Sequence, residues 1–92
     1  MEKRVMDLLM DETVPIHNRI PMIEHSLRQI FEDSTAPAIE RGWAIATFET
    51  LQHLRRVKSE SIRRKTGASP SERSICIAIC EDVARRVYAK QN

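Results

Sequence analysis

Glycine is nearly missing from this chain, with only Gly42 and Gly67 among 92 residues. A phosphate cradle built from clustered glycines is thereby excluded. Cysteine is confined to Cys76 and Cys80, one helical turn apart. That is no disulfide framework of a small secreted protein, so reduced thiols are expected. Aromatic side chains are limited to Phe31, Trp43, Phe48 and Tyr88, so aliphatic residues and methionines must supply the core. No apolar run approaches the roughly 18 residues of a membrane span, and Met1 to Leu9 lacks the apolar stretch and cleavage site of a secretory signal. A cytoplasmic protein with no membrane partner is expected.

Catalytic and metal-binding patterns are equally sparse. His17, His25 and His53 are scattered, and no H-E-x-x-H spacing occurs. His53 follows Glu49 by one turn, which reads as an ordinary exposed pair rather than a general base. Ser59, Ser61, Ser69, Ser71 and Ser74 have no neighbouring base, and capping and solvation account for them. Cys76 and Cys80 lie on an apolar stripe with no further ligand nearby, so they are read as packing residues and not as a metal or redox pair. No enzyme, metal or cofactor is expected.

What the chain does have is helical patterning. A composition of 41% hydrophobic and 30% charged residues is that of a folding chain. At this length folding buries only about 60% of the surface the unfolded chain exposes, which allows one thin core. The expectation is one all-α domain over residues 1–92, a small bundle of about four helices that self-associates as a homodimer.

Met1, Val5, Leu8 and Leu9 share a face and predict a first helix over about 2–12. Ile16, Ile20, Ile23, Leu27 and Ile30 keep a three–four spacing through Pro21, so the second helix either starts at Pro21 or is kinked there. Proline fits best in a first turn, which favours the start at Pro21 and a Glu24–Arg28 pair one turn apart. The segment Asp33-Ser34-Thr35-Ala36-Pro37 predicts a third helix from about Ala36 to Thr66, closed by Gly67. Ile39, Trp43, Ala46, Thr50 and Val57 share one side of it, while Ala44, Ile45, Phe48 and Leu51 point elsewhere, so burial on several sides is expected. A buried strand over Trp43–Phe48 is the less favoured alternative. Gly42 weakens this helix by about 1 kcal/mol relative to alanine and is expected to permit close packing. Ser69-Pro70-Ser71-Glu72 predicts the start of a fourth helix, with a stripe of Ile75, Cys76, Ile79, Cys80, Val83, Ala84, Val87 and Tyr88 and outer pairs Glu81–Arg85 and Asp82–Arg86. No internal repeat or low-complexity tract is found.

Charge is lopsided. Residues 1–50 carry five Lys/Arg against nine Asp/Glu, and residues 51–92 carry ten against four. The candidate partner-binding residues are Arg55, Arg56, Lys58, Arg63, Arg64 and Lys65, six cations within eleven positions. They suit an acidic protein or a phosphate backbone, although a Glu60–Arg64 pair and the helix dipole also account for some of them. A helix-turn-helix over Ile62–Ile77 fits poorly, because Ile75, Ile77 and Ile79 read as core and Arg73 is the single cation there. Trp43, Phe48 and Leu51 are candidate interface anchors, with coverage by the chain's own helices as the alternative. The sequence is thus read as a non-enzymatic interaction or regulatory protein that binds another protein. The alternative is a nucleic-acid-binding regulator acting through residues 55–65.

Overall fold

Val5 and Leu9, one turn apart, bury one side of a short helix α1, Lys3–Leu9. This helix stops earlier than its apolar spacing suggests, because Asp11 turns the chain: its Oδ1 accepts the Thr13 amide at 3.0 Å and the Thr13 hydroxyl at 2.6 Å. Leu8 projects into solvent instead of joining the core face. The structure, a computed structural model, describes the backbone of residues 3–91 and the side chains of residues 4–86.

Helix α2 runs Ile16–Glu32 and contains Pro21, so it does not begin at Pro21 as the sequence favoured. Proline removes the bond to the His17 carbonyl, which in a helix interior costs about 3 kcal/mol. Two features offset that cost. Ile20 is fully buried and Ile16 packs against the core, so the turn before Pro21 carries apolar contacts worth keeping. Arg19 then clamps the turn, donating from Nε to the Val14 carbonyl at 2.9 Å and from a terminal nitrogen to the Leu9 carbonyl at 3.0 Å.

Helix α3, Ala38–Thr66, is 29 residues long, or about 43 Å. It is the longest element of a body measuring 45 × 33 × 22 Å. Pro37 precedes it, and Asp33 receives the Thr35 amide and hydroxyl at 2.9 and 2.6 Å. The first two of the three interhelical turns thus share the pattern D-x-T-x-P, Asp11 to Pro15 and Asp33 to Pro37. These hydrogen bonds hold both carboxyls below the usual aspartate range. The helix ends as expected at Gly67, whose φ of 73° is left-handed and whose amide bonds to the Arg63 carbonyl at 2.8 Å.

Helix α4 spans Glu72–Gln91. Its cap is Ser71, whose hydroxyl accepts the Ser74 amide at 3.1 Å, rather than Ser69, so Pro70 lies before the helix. Cys76, Ile79, Cys80 and Val83 form its buried stripe, while Val87 and Tyr88 lie outside the described side chains. The domain is all-α, with four helices and no strand among the described residues. One core joins Val5 and Leu9 of α1, Ile20, Ile23 and Leu27 of α2, Ala44 and Leu51 of α3, and the α4 stripe.

Candidate interaction surface

The six cations of residues 55–65 divide by helix face. Leu51, Arg55, Lys58 and Ile62 follow one another at three–four spacing from the core, so Arg55 and Lys58 point inward. Arg55 bridges three helices. It donates to both oxygens of Glu24 on α2, at 2.9 and 2.5 Å, and to Glu72 on α4 at 2.5 Å. Gln52 donates to the same Glu24 carboxylate. The Arg55 and Glu24 side chains are only 17% and 13% exposed, whereas Glu72 is 58% exposed. The Glu24 hydrogen bonds push the Arg55 guanidinium further toward its protonated form. Lys58 lies 3.5 Å from Asp82 of α4, which also receives Arg86 at 3.1 Å and Arg85 at 3.8 Å. Both residues are therefore ties between helices, not parts of a free basic surface.

Several expected pairs are rearranged by these ties. Glu24 is taken by Arg55, so Arg28 turns to Glu32 at 4.0 Å, and Arg85 approaches Asp82 instead of Glu81. Arg56, Arg63, Arg64 and Lys65 remain exposed, and among the described residues no carboxylate lies within ion-pairing distance of them. They occupy the C-terminal third of α3, beyond its buried residues Ala44, Thr47 and Leu51.

The three interface candidates are distributed differently. Leu51 is completely buried in the chain's own core. Phe48 is half-buried, edge-on to Phe31 with ring centroids 5.5 Å apart and with Arg28 over its face at 5.1 Å. Trp43 is half-buried beneath the Arg4 guanidinium, 3.8 Å from the ring centre, and Arg4 also approaches Glu40 at 3.8 Å. Trp43 stands at the border between the core and the exposed side of α3: its ring packs against the core and its Nε1 is buried.

That side is where structure and expectation part. The helix is buried along one stripe only, not on several sides. The opposite positions, Ile39, Trp43, Ala46, Thr50, His53 and Val57, alternate in spacing by four and three residues, which is the spacing of a helix–helix seam. Ile39 is 89% exposed and Val57 43%, and Ala46, Thr50 and His53 are exposed as well. Thr50 donates its hydroxyl to the Ala46 carbonyl at 3.0 Å, so its polar group is satisfied within the helix. Beside this row, Gly42 has no heavy atom within 4 Å of where a Cβ would stand, so the close packing expected of it does not occur within the chain.

Cys76 and Cys80 are buried free thiols. Burial pushes the Cys76 thiol up to about 11, and its Sγ donates to Glu72 at 3.6 Å. Among the described residues no three His, Cys, Asp or Glu side chains stand together as metal ligands, and no helix is long and apolar enough to cross a membrane. An apolar hollow between α1 and α2 is lined by Leu8, Val14, Arg19, Met22 and Ile23. No protein family matches the chain, and neither a curated protein nor a solved structure does.

Proposed function

We propose that this chain is a non-enzymatic interaction module of the cytoplasm that binds another protein through the solvent-facing side of α3. The observation that carries this reading is the row Ile39, Trp43, Ala46, Thr50, His53 and Val57, a helix–helix seam spacing left exposed on the longest helix of a small domain. Exposed apolar rows of this kind mark binding surfaces, and a partner helix laid along them recovers the burial that the monomer forgoes. Arg56, Arg63, Arg64 and Lys65 continue the same helix and steer an acidic partner to it. The experiment is affinity capture from the native cell with the wild-type chain and with Ala46→Glu, whose substitution site is exposed. The expected result is a protein retained by the first and lost by the second at equal helicity. Identical captures would refute the reading.

A second reading is favoured by those four unpaired cations, namely contact with a nucleic-acid backbone. Four phosphate contacts would make binding to a 20-base-pair duplex fall about 100-fold between 50 and 200 mM salt, as fluorescence anisotropy would read. Charge reversal at Arg63 and Arg64 would then abolish it, whereas Ala46→Glu would leave it nearly unchanged.

A further inference from the structure

We infer that the occupant of this α3 surface is a second copy of the chain, laid antiparallel across a two-fold axis between Ala46 and Thr50. The inference rests on the protein-binding reading above and names its partner. Antiparallel pairing sets each position of the row opposite a defined counterpart: Ile39 against Val57, Trp43 against His53 and Ala46 against Thr50, each twice by symmetry. The small residues meet at the centre, where the helices approach most closely, and the large apolar ones close both ends.

Charge decides the direction. Continuing the same spacing beyond Val57 leads to Glu60 and Arg64, both exposed. In a parallel pair each would face its own copy across the axis, with Arg63 and Lys65 doubling the repulsion. The antiparallel pair instead brings the basic end, Arg56, Arg63 and Arg64, toward the other copy's α3 start, where Glu32, Asp33 and Glu40 stand exposed. The opposite net charges of the two halves of the chain thus become complementary between copies. Gly42 acquires a reason as well. It flanks the seam between the levels of Ile39 and Trp43, and an exposed helical glycine that meets nothing within its own chain leaves room there for the partner.

The test combines mass and cross-linking. In sedimentation velocity the wild-type chain is expected at twice its 10.6 kDa mass, and Ala46→Glu at that mass with unchanged circular dichroism and at least 10-fold weaker association. A double variant, Ile39→Cys with Val57→Cys, is expected to form an interchain disulfide on mild oxidation. Eighteen residues of helix separate the two positions by about 27 Å, so they cannot join within one chain. Neither single variant should cross-link. A monomer at 100 µM, or single variants that cross-link as well as the double one, would overturn the inference. If the chain is monomeric yet captures a cellular protein that Ala46→Glu loses, this inference fails and the protein-binding reading stands; if it does neither, both fail.

Discussion

Removal of the Arg55 side chain is the sharpest perturbation of the fold. Arg55→Ala deletes two charge-assisted bonds to a Glu24 carboxylate that is only 13% exposed, and leaves that carboxylate with Gln52 as its remaining donor. Breaking a fully buried ion pair costs 3–5 kcal/mol, and a bond to a charged group contributes about 1.5–3. Partial exposure lowers the expected loss to about 2–3 kcal/mol, or roughly 10–20 °C in Tm for a domain of this length. The loss is read from urea unfolding followed at 222 nm. A double-mutant cycle apportions it: coupling of Arg55 with Glu24 should exceed 1 kcal/mol, and coupling with the exposed Glu72 should fall within the roughly 0–1 kcal/mol of a surface pair. Arg56→Ala, one residue away and solvent-facing, should change stability by less than about 0.5 kcal/mol. Equal losses for Arg55→Ala and Arg56→Ala would refute the assignment of inward and outward cations.

Gly42→Ala, made in the Ala46→Glu background to keep association out of the measurement, should raise stability by about 1 kcal/mol and Tm by roughly 4–8 °C, since nothing occupies the space of the added methyl. A lower Tm in thermal unfolding would contradict this packing. The Cys76 thiol stays protonated in the folded chain up to about 11, so its contribution is complete below the unfolded value of 9.0 and fades as pH climbs from there. Unfolding titrations should show an alkaline loss between pH 9 and 11 that is reduced in Cys76→Ala; an equal loss in both chains would argue against it. Asp11 and Asp33 are held below the ordinary 3.8, so each turn is favoured above that pH and loses the contribution as acid protonates the carboxylate. Carboxyl NMR titrations should give midpoints under 3.8 that rise in Thr13→Ala and Thr35→Ala respectively.

Local rules sufficed where the chain obeys them singly. The left-handed Gly67 ends α3, and the Ile79–Val83 stripe buries α4, because each signal depends on neighbours within a turn or two. Pro21 misled because a local penalty was weighed without its tertiary compensation, the burial of Ile20 and the reach of Arg19 back to Leu9 and Val14. The cation cluster misled in another way. A run of basic residues looks like one surface, but a helix turns each residue about 100°, and the spacing Leu51, Arg55, Lys58, Ile62 already marked two of the six as inward-facing. The acidic partners, Glu24 and Asp82, stand far away in sequence and could not be read from it. The exposed side of α3 was legible as a row of residues but not as a surface, since periodicity defines a face without stating what covers it.

Trp43 is the chain's single tryptophan and stands on that row, so its fluorescence reports directly on whether another protein covers α3. Acrylamide quenching of the half-buried ring, followed from 0.1 to 100 µM chain, should weaken as copies associate, with the emission shifting to shorter wavelength, while Ala46→Glu keeps the quenching of the dilute chain at every concentration. Quenching that stays the same at every concentration, and in the presence of captured partner, would contradict the assignment of this side of α3 as a protein-binding surface.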